Sequence, residues 1–358
     1  MKKEEFQVIL QNTSVSEIVE KIKKTRTDSQ PDIAAINNQL NPANHDVMNE
    51  SIRPNKQVKI DSNNTETATY TSNSETTETD TRIEKVARIA IAFQKLIVKR
   101  AVSFTYGNPL ILNYEPQSDS EKTVLNGIKK ILLKNKETSL NRKIGKAMFS
   151  CTEAAEYWYP IEEQNAKSLY GFDTKYKLKS AVFSPLKGDI LYPTFDDYGD
   201  MIAFSREFTK EVDDKEVVFF ETYTDSQHFM WNITDKKAVE GFPKKIELGK
   251  IPIVYGKQEQ TEWEDVQSMI DRLEKLLSNF ADTNDYHASP KIFIKGQLVG
   301  FGRKGEAGAI IEGDEGSDAK YLSWQQAPEA VKLEIETLLN LIYSLTQTPN
   351  LSFESVKG

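Results

Sequence analysis

One cysteine, three histidines and no long uninterrupted apolar run set the first limits on this 358-residue chain. Cys151 alone rules out an internal disulfide and fits a reducing compartment. The nearest thing to a membrane span, 86–104, is interrupted by Arg88, Gln94, Lys95, Lys99 and Arg100, which argues against a spanning helix. The opening Met1-Lys2-Lys3-Glu4-Glu5 has none of the apolar character of a secretion signal. His45, His228 and His287 have no second histidine or cysteine at metal-ligand spacing, so no metal or cofactor is expected. An excess of positive charge is missing too. The formal net charge is −8, whereas a protein that grips DNA presents a basic face to the phosphates. That argues against a tight nucleic-acid binder and leaves room for a protein that DNA passes without being held.

What the chain does have is concentrated near its end. Two helix-patterned segments, Trp263 to Phe280 and Pro328 to Leu345, bracket a glycine-rich stretch. Val266, Ile270, Leu273, Leu277 and Phe280 step by four and three in the first segment, as do Val331, Ile335, Leu338, Ile342 and Leu345 in the second. This is the rhythm of helices packed side by side at a shallow angle. Leu333, Leu339 and Leu341 lie off the second stripe, as expected of a helix that touches more than one neighbour.

Ahead of these helices the chain changes character several times. Glu4 to Lys24 has a short helical pattern anchored by Phe6, Leu10, Ile18, Val19 and Ile22. From Thr25 to Thr81, Asn, Ser, Thr, Asp and Glu dominate, which predicts an extended arm or linker because little apolar surface offsets ordering entropy. Val86, Ile89, Ala90, Phe93, Leu96, Ile97, Ala101 and Phe104 predict an amphipathic helix over 86–104, ended at Tyr106-Gly107-Asn108-Pro109 by the freedom of Gly107 and the restraint of Pro109. Leu110 to Tyr114 reads as a short strand. Glu121 to Phe149 reads as helix with a break near Glu137, and carries Lys129, Lys130, Lys134, Lys136, Arg142, Lys143 and Lys146. Such a run is either a solvated face or a contact for phosphate or an acidic neighbouring subunit. From Thr152 to Tyr255, short aromatic and branched runs alternate with turn residues such as Asp196-Asp197, Gly199 and Asp213-Asp214, predicting an antiparallel meander.

Catalytic equipment is scarce. Gly300-Phe-Gly302-Arg-Lys-Gly305 is a literal GxGxxG, but glycines at 308, 313 and 316 discourage the helix a dinucleotide fold needs after it. Tight turns between short strands are the better reading. Cys151 has no histidine partner and reads as a buried, inert thiol. The acidic pairs Glu162-Glu163, Asp196-Asp197, Asp213-Asp214 and Asp314-Glu315 read as exposed loop charge, and Trp158 and Trp231 as core.

The order of these pieces resembles tailed-phage portal proteins, particularly the SPP1-like group. The resemblance is carried by the helix ending in Tyr106-Gly-Asn-Pro109, by Ile251-Pro-Ile-Val-Tyr leading into Trp263-Glu-Asp-Val, and by Ser278-Asn-Phe-Ala-Asp to Pro290 with Ile292-Phe-Ile-Lys. It continues in Tyr321-Leu-Ser-Trp324 returning into the second helix, and in Thr348-Pro-Asn-Leu-Ser-Phe353. It covers roughly Arg82 to Gly358 and implies an α+β chain without enzymatic activity. The implied parts are an N-terminal helix and polar arm over 1–81 and a helix-plus-antiparallel-sheet wing over 82–260. A first stem helix over 261–288, a small glycine-rich α/β clip over 289–326 and a second stem helix over 327–347 follow. A tunnel loop begins at 348–358, where the family continues further, so the chain is expected to be truncated relative to it.

The resemblance further implies a ring, usually dodecameric, at the head vertex of the virion, assembled in the bacterial host cytoplasm and forming the channel for DNA packaging and ejection. Val266, Ile270, Leu273, Leu277, Val331, Ile335, Leu338 and Ile342 would pack the stem. Phe301, Arg303, Lys304 and Glu306 would meet terminase, and Asn350, Ser352 and Lys357 would face the DNA. The implied partners are copies of itself, terminase, head-completion or adaptor proteins, major capsid and scaffolding proteins, and double-stranded DNA passing non-specifically, with no membrane. Two other readings remain open: an adaptor that binds proteins through the helical hairpin without forming a ring, and an enzyme with a carboxylate site in the strand-rich region.

Overall fold

The computed structural model describes residues 1–12, 14–60, 80–163, 167–287, 291–295, 318–322 and 328–350. It is a mixed α+β chain with antiparallel sheets. Two compact units are built from interleaved stretches: Met1–Leu40 with Ala92–Asp265, and Asn41–Ile91 with Val266–Gly358.

The first unit is organised around two sheets. The larger has the order Lys244–Lys245, Gln227–Asn232, Lys215–Tyr223, Met201–Val212, Ile190–Phe195, with Lys237–Ala238 added beside Gln227–Asn232. The smaller runs Ile253–Lys257, Glu153–Glu162, Tyr176–Phe183. The meander read from the turn residues is present, and Asp213 and Asp214 both take positive φ at the tight turn between Met201–Val212 and Lys215–Tyr223. Helices Lys3–Leu10 and Val15–Lys23 bury Phe6, Ile18, Val19 and Ile22 against Tyr192, Ala203, Phe220 and Trp231. The Ser14 hydroxyl caps the second of them by accepting from the Glu17 amide. A second core joins Ala155, Phe183, Leu191, Phe204, Tyr223 and Ile253. Helices Asp119–Lys134 and Glu137–Cys151 meet at Lys136, held at φ 53° in the left-handed region, so the expected break is real. Cys151 is fully buried, and burial together with nearby Glu153 pushes its thiol up to about 12. Trp231 is core as read, while Trp158 is only half-buried.

Several sequence readings are corrected. The 86–104 helix begins only at Phe93 and runs to Tyr106; residues before it are extended. Gly107 lies at φ −67°, ψ −40°, an ordinary helical geometry, so its use is not backbone freedom; an added Cβ would collide with the Ser103 carbonyl oxygen. Leu110 to Tyr114 forms no strand. The polar arm is ordered over 25–60, with helix Ile33–Leu40, two short turns at Pro42–Asn44 and Asp46–Met48, and strand Lys56–Ile60 paired with Asp80–Glu84. Few apolar residues were needed, because Ile36 and Val47 are each buried against distant segments.

Candidate functional site: the paired long helices

The two helix patterns near the end of the chain become Gln267–His287, entered through a turn at Glu264–Val266, and Pro328–Leu345. They touch, and Arg272 on the first donates from Nε (2.9 Å) and Nη2 (2.6 Å) to one Glu334 oxygen on the second. Both side chains are about half exposed, so this bond fixes register more than it stabilises. Between the helices, strands Lys291–Lys295 and Asp318–Leu322 pair antiparallel, with Lys291 opposite Leu322.

The apolar stripe of the first helix is largely where its spacing puts it. Val266 and Ile270 are fully buried and Leu273 nearly so, but Leu277 and Phe280 are half-buried, and Leu276 takes the buried place instead. In the second helix only Ile342 is fully buried. Val331, Ile335 and Leu338 are half-buried, and Leu333, Leu341 and Leu345 are exposed at 65%, 42% and 54%.

The same helix also carries a polar row that the heptad hides. Glu274, Ser278 and Asp282 follow one another at intervals of four along one face, about 6 Å apart. The extended residues Ala87, Ile89 and Ile91 follow at intervals of two, about 6.6 Å apart. The two repeats match, and the strand runs antiparallel to the helix. The Ala87 amide donates to Asp282 Oδ1 (2.6 Å), Ile89 to Ser278 Oγ (2.9 Å) and Ile91 to Glu274 Oε1 (2.7 Å). The strap thus meets a row of side-chain acceptors in place of a neighbouring strand. Arg53 locks the same face, bonding Asn279 (2.7 Å), Asp282 Oδ2 (2.5 Å) and the Ala87 carbonyl (2.9 Å). His45 Nδ1 lies 2.7 Å from Glu274 Oε1, with both side chains buried. His45 was read as part of a polar arm; it is instead a core residue of this unit. The available signal was the i, i+4, i+8 polar series inside an apolar helix, but the amides it serves lie almost two hundred residues away.

Burial raises the Glu274 carboxyl above its ordinary value, against the opposing pull of the Ile91 amide and His45. A carboxyl raised on folding favours the folded state most at acid pH, and that contribution is lost as pH rises through the raised value. Glu274→Gln keeps the acceptor and removes the buried charge. We expect it to stay within about 1 kcal/mol of the parent at neutral pH and to flatten this part of the pH profile. Glu274→Ala removes the acceptor of the Ile91 amide and a partner of buried His45, and is expected to cost at least about 2 kcal/mol. Urea titrations between pH 4 and about 8 distinguish them.

The other expected site residues divide sharply. Asn350 is half-buried just beyond the second helix. Phe301, Arg303, Lys304, Glu306, Ser352 and Lys357 lie outside the described residues, as do Asp314-Glu315 and the GxGxxG glycines. Among the described residues no group of three or more His, Cys, Asp or Glu could hold a metal, and no helix is long and apolar enough to cross a membrane.

No curated protein matches the chain. A family model, described as phage portal protein, SPP1 Gp6-like, matches residues 20–358. The chain belongs to that family.

Proposed function

We propose that this portal-family chain is one subunit of a closed ring whose central channel passes phage DNA into and out of the head. The family itself places it at the head vertex of the virion, in a structural and non-enzymatic role. The finer assignment is ours. Residues 82–260 are the wing, 261–288 and 327–347 the stem helices, 289–326 the clip, and 348–358 the start of the loop that faces DNA. The observation that carries it is the succession of long helix, paired short strands and long helix inside the matched stretch. Within it, Val266, Ile270, Leu273, Leu277, Val331, Ile335, Leu338 and Ile342 hold the stem. Phe301, Arg303, Lys304 and Glu306 contact terminase and then head-completion proteins, while Asn350, Ser352 and Lys357 approach the duplex. A net charge of −8 suits a channel wall, since like charge keeps the polyanion moving.

Negative-stain imaging with light scattering tests this. Annular particles with a central hole, many times the 40.7 kDa subunit mass, are the expected result. A chain that stays monomeric or dimeric at every concentration and salt would instead favour a non-ring adaptor that uses the helical pair to bind proteins.

A further inference from the structure

One stretch of the first unit exposes large apolar side chains. Residues 108–118, between helices Phe93–Tyr106 and Asp119–Lys134, pair with no strand among the described residues. Leu110, Ile111 and Tyr114 are 64%, 83% and 55% exposed. The segment is nevertheless pinned at both ends. Arg142 donates to the Tyr106 and Gly107 carbonyls (3.2 and 3.1 Å), and Glu121 Oε2 accepts from the Tyr114 hydroxyl (2.7 Å) and the Gln117 amide (2.8 Å). Pro109 and Pro116 stiffen it further. Holding Leu110 and Ile111 in water forgoes the stabilisation of burying them, and a restrained apolar segment binds with little ordering cost. The strand propensity of Leu110 to Tyr114 is therefore left without a partner strand among the described residues.

The same unit carries a receptor for such a segment. A cavity of about 590 Å³ is lined by aromatic and apolar side chains, Tyr157, Tyr159, Phe172, Tyr176, Phe242 and Leu248 among them, and by the exposed Lys244 and Lys245. The neighbouring edge of strand Tyr176–Phe183 is already closed, because Asn135 bonds the Leu178 carbonyl (3.0 Å) and the Ser180 amide (3.1 Å). Side chains can enter the cavity, but a ladder cannot extend there. Charge selects the occupant. From Gly107 to Glu121 the chain has Glu115, Asp119 and Glu121 and no basic residue; the cavity carries Lys244 and Lys245 against the one carboxylate of Glu247, 3.1 Å from Lys245 Nζ, and so a net charge of opposite sign.

We propose that residues 109–115 of one subunit dock in the Tyr157–Tyr159–Phe242 cavity of a second copy of this chain. Leu110 and Ile111 fill the aromatic floor, and Glu115 meets Lys244 and Lys245. The projecting segment and the cavity are different surfaces of one chain, so the contact is head-to-tail, the kind of contact that builds a ring when its rotation divides a full turn. The inference rests on the ring reading above and adds a wing contact to it, independent of the long helices.

The test uses the full chain. Cys151 is buried with a poorly ionised thiol, so introduced cysteines report alone. Ile111→Cys chains mixed with Leu248→Cys chains and mildly oxidised should give covalent dimers at least tenfold above either variant by itself. Ile111→Asp should reduce ring yield at least tenfold with a melting temperature close to the parent, since Ile111 is 83% exposed in its own chain. Rings that persist in Ile111→Asp, with no dimer enrichment in the mixture, overturn this contact and leave the ring reading standing. A parent chain that never exceeds a monomer overturns both.

Discussion

Replacing Arg206 with alanine is expected to cost about 3–5 kcal/mol of folding stability, the largest loss foreseen for any single truncation in the first unit. The guanidinium lies between the rings of Phe183 (3.6 Å to the centroid) and Phe208 (4.0 Å). It bonds Glu221 Oε1 from Nε (2.7 Å) and Nη2 (2.6 Å), and Asp189 Oδ1 from Nη1 (3.2 Å). Glu221 Oε2 also lies 3.1 Å from Nε2 of His228, whose ring stacks on Tyr223 at 4.0 Å. Removing the arginine leaves two buried carboxylates without their cation and opens a gap between two rings. For a unit of this size each kcal/mol is worth about 2–4 °C, so the melting temperature should fall by about 10 °C.

The pH dependence separates this from a simple packing loss. Arg206 favours the charged form of both carboxyls, yet their net shifts are opposite. Burial raises Asp189, and the more distant contact with Arg206 does not overcome it. Burial works against Glu221 as well, but the hydrogen bond from His228 and the closer Arg206 charge hold it below the ordinary glutamate range. A depressed carboxyl contributes stability above its unfolded pKa and loses it as pH falls through the folded value. Without Arg206 that contribution is gone, and both carboxyls are easier to bury protonated. The deficit of Arg206→Ala should therefore be greatest at neutral pH and shrink as pH is lowered. R206M/D189N/E221Q, which leaves no charge in the site, should recover more than half of the loss. A deficit constant with pH would mean that the rings around Arg206, not its charge, account for it.

What the sequence revealed and what it hid follow from the distance over which each element is decided. The second long helix was readable to its ends because Pro328 starts it and its stripe is local. The meander was readable because each hairpin carries its own turn residues. The strap at 86–91 was not: Val86-Ala-Arg-Ile-Ala-Ile fits a period of two as well as 3.6, and its acceptors sit on a helix far along the chain. The order of residues 25–60 was hidden for a similar reason. Its apolar anchors are single residues, Ile36 and Val47, and its polar ones, His45 and Arg53, look solvated until Glu274 and Asp282 are brought to them. Leu110 to Tyr114 has strand-like residues but pairs with no strand among the described residues, so propensity alone misled there.

Substitutions on opposite faces of the second long helix should separate folding from assembly. Leu333 and Ile342 are nine residues apart, which turns them about 180° around the axis. Ile342 is fully buried and Leu333 is 65% exposed, so one face serves the chain itself and the other is free for a neighbour. Val331, Ile335 and Leu338 lie within about 40° of Ile342 and belong to the inner face. Ile342→Asp puts a carboxylate where nothing can pair with it, and is expected to unfold the helix pair at a cost above about 4 kcal/mol. Ile335→Asp or Leu338→Asp, at half-buried positions, should fall between the extremes and loosen the stem while leaving the strand-rich unit folded. Leu333→Asp combined with Leu341→Asp changes only exposed positions, so circular dichroism and melting temperature should stay close to the parent. In a ring, however, each of these carboxylates meets an apolar neighbour once per interface, and every interface bears the same fault. Because closure needs all contacts to hold at once, a penalty of about 2 kcal/mol at each is enough to lower the interface constant roughly thirtyfold and leave few closed particles. Rings of normal yield in the double variant would move the subunit contact off this face and onto the wing alone.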